Sequence, residues 1–203
     1  MALVDTLPMF VHKPLKLGED IPTKLLPRPT TTELETPEVK SPDVDTKAEY
    51  LPEEYSAYAP MVSALETAGI KNPEARKAVL AQMGLESGWN PSRPDYNYGN
   101  ITTGSSWTGK SVVRGDHDGA GKPIKQNFRS YDSPEEFAND YLNILKRNYP
   151  ESYAQLTSDS FDIDGFITGL VGGSKKYATD PQYHVKLRNV YNSVRSKYSE
   201  PNS

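Results

Sequence analysis

The chain has 203 residues, 35% of them hydrophobic, which allows one modest globular domain with an appendage but not two full domains. Its net charge of -4 supplies no broad positive field, so neither nucleic acid nor an anionic membrane surface is an expected partner. There is no cysteine, which excludes disulfides and thiolate metal sites, and no apolar run is long enough to span a bilayer.

Residues 1–50 differ in composition from the rest of the chain. They hold seven of the 17 prolines, one glycine and two aromatic residues, and they show no sustained apolar period. Such a segment buries too little surface to offset its ordering entropy. We therefore predict an extended Pro-rich segment, either a linker or an anchor that docks on a partner, followed by one folded domain over residues 51–203. The first 20 residues lack the pattern of a secretory signal.

Two helices are predicted at the start of the folded domain. Residues 60–68 have a helical pattern that Gly69 ends. Asn72 and Pro73 then supply an N-cap and a first-turn proline for a second helix, which ends at Gly88.

Glu86 lies in the last turn of that second helix, on the face that carries Val79, Gln82 and Met83. The negative end of the helix dipole and partial burial both disfavour a carboxylate there, so we expect its pKa to be raised, as a general acid requires. The alternative is an ordinary surface glutamate at a helix end.

Two extended runs, residues 111–114 and 123–128, flank a turn rich in Gly and Asp and predict a β-hairpin. Asp116 and Asp118 lie in this turn and are candidates for the second carboxylate that glycoside hydrolysis usually needs. Both are also ordinary turn residues, and a calcium loop is a weaker possibility because the full EF-hand pattern is missing.

Three more helices are predicted after the hairpin. Ser133 begins a capping box with a proline at the first helical position, residues 161–171 form a shorter helix, and Asp180 begins the last one. The whole is then a small helical domain with one inserted hairpin.

Several aromatic residues lie in or beside loops, where they either stack on sugar rings or cap the core. These are Trp89, Tyr96, Tyr98, Trp107, Tyr177 and Tyr183. The three histidines, His12, His117 and His184, are too far apart in sequence to favour a zinc site, and no cofactor is predicted.

Five stretches of the chain, taken in order, resemble glycoside hydrolase family 73, the peptidoglycan β-N-acetylglucosaminidases that include the flagellar rod-associated enzyme and many autolysins. They are residues 81–89 (Ala-Gln-Met-Gly-Leu-Glu-Ser-Gly-Trp), 97–101 (Asn-Tyr-Gly-Asn-Ile), 107–109 (Trp-Thr-Gly), 128–131 (Phe-Arg-Ser-Tyr) and 176–183 (Lys-Tyr-Ala-Thr-Asp-Pro-Gln-Tyr).

This resemblance implies a lysozyme-like α+β fold, mostly helical with one β-hairpin lobe, and a substrate groove between the two lobes. It makes Glu86 the general acid and Tyr177 an active-site residue. We expect the glycan to be contacted by four further residues, Asn97, Tyr98, Trp107 and Tyr183.

The chain departs from the family pattern at two places. The family's hairpin shows a Glu before a Tyr, whereas this one offers Asp116 as the first choice and Asp118 as the second. The family's usual Asn-Leu-Phe-Gly-Ile-Lys is replaced over residues 97–102 by Asn-Tyr-Gly-Asn-Ile-Thr, which lacks the lysine.

The expected reaction is cleavage of the β-1,4 bond between N-acetylglucosamine and N-acetylmuramic acid in peptidoglycan. Alternatives are a muramidase or lytic transglycosylase of the same fold, or a structural adaptor with a degenerate hydrolase domain. The Pro-rich N-terminal segment favours a phage tail or internal virion protein that holds other virion proteins through residues 1–50 and acts in the host cell wall or periplasm.

Overall fold

The computed structural model describes residues 51–90, 95–117, 122–178 and 180–198, with the side chain of His117 not described. The predicted N-terminal anchor, residues 1–50, and Asp118 lie outside the described residues.

Within the described residues the chain forms helices and one two-stranded antiparallel sheet. No helix among them is long and apolar enough to cross a membrane. In chain order the elements are a 3-10 helix Glu53–Tyr58, α1 Ala59–Thr67, α2 Pro73–Ser87, β1 Ser111–His117, β2 Pro123–Arg129, α3 Pro134–Asn148, α4 Pro150–Leu156, α5 Ile163–Val171 and α6 Tyr183–Tyr198.

Helix α2 lies at the centre of the domain and packs against α1, α4 and α6. The Asn72 side chain accepts a hydrogen bond from the Glu74 amide at 2.9 Å, which is the predicted N-cap. At the other end Gly88 takes a left-handed φ of 62°, as expected of a helix-terminating glycine. Small residues such as Ala75, Ala78 and Ala81 allow neighbours to approach α2 from several sides, and nearly all of its middle turns are buried.

The chain folds back on α2 directly after Gly88. The Trp89 amide donates to the Gly84 carbonyl at 3.0 Å, and the indole ring stacks on Tyr55 with centroids 5.0 Å apart. A Cβ on Gly84 would lie only 2.5 Å from the Trp89 ring, so glycine is needed in the middle of this helix. Trp89 therefore covers the core at the end of α2.

The hairpin strands are longer than predicted, because β1 continues into Gly115, Asp116 and His117, the first three residues assigned to the turn. Asp116 lies opposite Ile124, and His117 lies opposite Pro123. Thr102 forms an isolated antiparallel bridge with Phe128, which joins the loop after α2 to β2.

One helix and two helix boundaries after the hairpin differ from the prediction. Helix α4 was not predicted; it directly follows α3. Helix α5 begins at Ile163 because the side chain of Asp162 caps it, accepting from the amide of Gly165 at 2.8 Å. Helix α6 begins at Tyr183 rather than at Asp180. The Asp180 side chain instead forms a turn before the helix, because it accepts a hydrogen bond from the Gln182 amide at 2.8 Å.

Candidate active site

Glu86 is partly buried in the last turn of α2, facing the start of α6. The Tyr183 hydroxyl donates to Glu86 Oε1 at 3.1 Å, across 97 positions of sequence. Helices α2 and α6 therefore hold the carboxyl between them.

A chain of hydrogen bonds extends from this carboxyl into the core. The Tyr141 hydroxyl donates to Gln82 Oε1 at 2.5 Å, and Gln82 Nε2 donates to the Tyr183 hydroxyl oxygen at 3.1 Å. Sequence reasoning placed Gln82 on the face of Glu86, but it missed that Gln82 and Tyr141 join one network. The signal available was the helical spacing of Gln82 and Glu86 alone.

Tyr177 is fully buried beside this network. Its ring lies between Tyr149 and Tyr183, with centroid distances of 5.5 Å and 5.8 Å. Its main-chain amide donates to the Leu170 carbonyl at 2.9 Å, which fixes the segment after α5. The structure thus brings Glu86, Tyr177 and Tyr183 together, three of the residues predicted to form the site.

Electrostatics at this cluster favour neutral groups. Burial raises the pKa of Glu86 well above its ordinary value of 4.5, and the hydrogen bond from Tyr183 offsets part of that rise. Burial, followed by the nearby charge of Glu86, raises the pKa of Tyr141, Tyr177 and Tyr183 well above 10.0. The phenols are therefore donors at neutral pH, and the carboxyl favours its protonated form.

Asn100 also reaches this region and was not predicted to do so. Its side-chain amide donates to the main-chain carbonyl of Glu86 at 2.5 Å, satisfying a carbonyl that the helix end leaves open. It has a φ of 49°, a left-handed conformation that Asn tolerates better than most residues. Asn100 therefore fixes the backbone at Glu86.

The hairpin candidate Asp116 is partly buried on β1. Two residues earlier on the same strand, Arg114 makes an ion pair with Asp95, whose side chain is 9% exposed. The Arg114 guanidinium also lies over the Phe128 ring, 5.4 Å from its centroid. Asp95 thereby ties the loop after α2 to the strand that carries Asp116.

Asn97 and Tyr98, predicted to contact the glycan, are placed inside the domain. Asn97 is fully buried; its side chain donates to the carbonyls of Ile101 and Arg129 at 2.9 Å and 2.8 Å and accepts from the Ile101 amide at 2.8 Å. The Tyr98 ring is 4% exposed and packs edge-on against Phe137 at 5.2 Å. Both residues shape the loop after α2, because their polar or aromatic groups are committed to the protein itself.

Trp107 belongs to a separate group of side chains. It is half-buried, packs edge-on against Tyr131 at 5.8 Å, and carries the Arg129 guanidinium 4.5 Å from its ring centroid. Its indole nitrogen donates to the Lys110 carbonyl at 2.8 Å.

Within the described ranges, no three His, Cys, Asp or Glu side chains are grouped in a way that could hold a metal ion. What the cluster around Glu86 can do is donate a proton. A carboxyl whose pKa is raised by burial and which accepts a hydrogen bond from a phenol suits the protonation of a leaving-group oxygen.

The sequence profile of the glucosaminidase family, described as mannosyl-glycoprotein endo-beta-N-acetylglucosaminidase, matches residues 62–196. The chain belongs to the glucosaminidase family. The match includes the Glu86 helix, the hairpin and the Tyr177 segment.

Related sequences include a peptidoglycan hydrolase and an autolysin. The chain is 32% identical over 128 residues to peptidoglycan hydrolase FlgJ of Escherichia coli K12, covering 58% of this chain and 39% of FlgJ. It is 31% identical over 141 residues to an autolysin of Enterococcus faecalis, covering 62% of this chain and 18% of the autolysin. The match thus spans about two fifths of the FlgJ protein.

Solved glucosaminidase structures share the fold. The peptidoglycan hydrolase of Sphingomonas sp. A1 superposes with a TM-score of 0.55 at 29% identity, covering 74% of this chain and 97% of that one. The glycoside hydrolase domain of Salmonella typhimurium FlgJ gives a TM-score of 0.53 at 26% identity, covering 71% and 89%. These matches confirm the predicted lysozyme-like α+β fold.

Proposed function

We propose that this protein hydrolyses peptidoglycan as an endo-β-N-acetylglucosaminidase, with Glu86 as the general acid. The observation that carries the proposal is the partly buried Glu86 carboxyl, whose pKa burial raises and whose orientation the Tyr183 hydroxyl fixes. Family membership and the similarity to peptidoglycan hydrolase FlgJ support the substrate class.

In this mechanism Glu86 transfers its proton to the glycosidic oxygen as the bond from the anomeric carbon to that oxygen breaks. A hairpin carboxylate, Asp116 in first place and Asp118 in second, stabilises the positive charge that develops on the anomeric carbon. Tyr177 lines the site beside the acid. Either the acetamido oxygen of the substrate or a water molecule then attacks the anomeric carbon.

Replacing the acid tests this assignment. Glu86→Gln keeps the shape of the side chain but has no proton of suitable acidity, so clearing of purified cell walls should slow by at least about 100-fold. Circular dichroism should show an unchanged fold. Glu151→Gln is the matched control, because Glu151 is an exposed carboxylate in α4 outside the site. Wall clearing by Glu86→Gln at the control rate would refute the role of Glu86.

The bond that is cut is tested separately by mass spectrometry of the released fragments. We expect reducing N-acetylglucosamine ends. Reducing N-acetylmuramic acid ends would identify a muramidase, and anhydro ends a lytic transglycosylase, and either would overturn the proposed bond while leaving Glu86 as the acid.

We further propose that the enzyme is a phage virion or tail component that opens the host cell wall during entry, held by other virion proteins through residues 1–50. The Pro-rich composition of that segment supports an extended anchor. Deleting residues 1–50 should abolish incorporation into particles, measured by immunoblotting of purified virions; unchanged incorporation would refute the anchor.

A further inference from the structure

A pocket with a volume of about 340 Å³ lies between the loop that carries Trp107 and the outer face of α3. None of its lining residues belongs to the hydrogen-bond network around Glu86. The lining residues are Ser106, Trp107, Thr108, Arg129, Asp140, Asn143, Lys146 and Arg147. Three cationic side chains and one carboxylate give this lining a net charge of +2 in a protein whose net charge is -4.

Arg129 is built into the wall of this pocket. It is 4% exposed; its Nη1 donates to both carboxylate oxygens of Asp140 at 2.9 Å and 2.7 Å, and its Nε donates to the Thr102 carbonyl at 3.1 Å. Within the described part of the chain no acceptor bonds to Nη2. A buried guanidinium with a remaining donor is a strong anchor for an anion.

The pocket's one carboxylate does not cancel the remaining charge. Asp140 is committed to Arg129 and also accepts from the Tyr131 hydroxyl at 2.7 Å. Lys146 and Arg147, in the last turn of α3, are exposed, and neither has an ion-pair partner among the residues the structure describes. The Lys146 ammonium lies 5.8 Å from the Tyr153 ring centroid.

We propose that this pocket binds a carboxylate of the stem peptide that peptidoglycan carries on N-acetylmuramic acid. The glycan backbone is neutral where the lactyl group is amide-linked to peptide, so the anionic groups of the substrate are those of the peptide. Arg129 Nη2, the Asn143 amide, Lys146 and Arg147 supply the donors, and the indole of Trp107 forms an apolar wall. The substrate identity rests on the proposed function, whereas the anion site rests on the pocket alone.

Substrate preference tests the proposal in the full chain. The double variant K146Q/R147Q should lower the ratio of kcat/KM on glycan with free stem-peptide carboxylates to kcat/KM on the same glycan with those carboxylates amidated by about fivefold, because two screened charge contacts are lost. The loss should disappear in about 1 M salt, where the Debye length is about 3 Å. An equal loss of kcat/KM on both substrates, which leaves the ratio unchanged, would overturn the proposed carboxylate site.

The matched control is R195Q/K197Q. It also removes two cations from the last turn of a helix, α6, but neither residue lines this pocket. The control should leave the ratio unchanged, and a fall equal to that of K146Q/R147Q would show a general charge effect and refute the site.

Direct binding separates the pocket from catalysis. A soluble stem tetrapeptide with free carboxylates should bind the full chain, and K146Q/R147Q should weaken it about fivefold. Equal binding of the same peptide with its carboxylates amidated, or tighter binding of inorganic phosphate, would overturn a carboxylate site. If walls are not cleaved but the peptide still binds in this pattern, the proposed function is wrong and the anion site is retained. If walls are cleaved but the peptide does not bind in this pattern, the anion site is wrong and the proposed function is retained.

Discussion

Glu86 is held by a chain of side chains whose hydrogen bonds all point the same way. Tyr141 donates to Gln82, Gln82 donates to Tyr183, and Tyr183 donates to Glu86. Because the Gln82 amide already donates to the Tyr183 oxygen, the single hydroxyl proton of Tyr183 is directed at the carboxyl. Tyr141 and Gln82 are therefore positioning residues that act through Tyr183.

Tyr183→Phe tests this arrangement, because it removes the hydroxyl group without changing the net charge. The Tyr183 hydrogen bond lowers the pKa of Glu86, so removing it should raise that pKa and move the basic limb of the kcat/KM profile to higher pH. The matched control is Tyr191→Phe, which removes another α6 hydroxyl, one that donates to Glu74 at 2.7 Å. A limb that stays in place, or moves to lower pH, would contradict the arrangement.

Glu86→Gln should also change stability with pH. A folded-state pKa raised above 4.5 means that the wild type loses stability as pH rises from about 4.5 through the folded pKa of Glu86. Glutamine does not titrate. The free energy of unfolding of the variant minus that of the wild type should therefore increase as pH rises through this window, by about 1.4 kcal/mol per unit of pKa shift. Urea unfolding of both proteins at about pH 4, 6 and 8 measures this difference. A difference that is constant with pH would show that burial does not raise this pKa.

At the scale of elements, α2 is a buried helix whose neighbours approach it closely because its residues are small. Gly84 is the limiting case, since the Trp89 ring occupies the place of a Cβ. A glycine inside a helix costs about 1 kcal/mol relative to alanine in helix propensity, whereas here it leaves the space that the Trp89 ring fills between α2 and Tyr55.

A double-mutant cycle separates these two effects. Gly84→Ala should lower the free energy of unfolding by about 1–3 kcal/mol, because the ring must be displaced. In a Trp89→Leu background the same change should be neutral or should stabilise by up to about 1 kcal/mol. Equal costs in both backgrounds, measured by urea unfolding, would place the strain elsewhere.

At the scale of the whole molecule, the contacts between remote elements assemble the site. Helix α6 packs against α2 and brings Tyr183 to Glu86, while Arg114 and Asp95 link β1 to the loop that follows α2. The buried apolar cluster runs from Tyr55 to Val194 within the described residues. The folded domain therefore carries its own core.

From this core we expect residues 51–203 to fold and act alone. The truncated chain should unfold in one cooperative transition and clear purified walls with a kcat/KM within about twofold of the full chain, since two-state unfolding is usual at this size. Loss of lytic activity with the fold intact would show that residues 1–50 take part in catalysis.

The sequence by itself determined most of the helix-forming segments, although it did not predict α4. The caps at Asn72 and Ser133 and the terminating Gly88 act over a few residues, so their signals are complete in the local sequence. Five short stretches in family order, the one around Glu86 among them, likewise indicated the family that the profile match over residues 62–196 shows.

Tertiary structure alone decided which loop residues face inward and which side chains meet. Asn97 and Tyr98 share a motif with residues near the acid, yet they turn into the core, and Arg129 with Lys146 forms a pocket that no local pattern marks. The network of Gln82, Tyr141 and Tyr183 joins three helices. The physical reason is that a side chain's direction in a loop, and its partner across helices, depend on how distant elements pack, which short-range propensity does not encode.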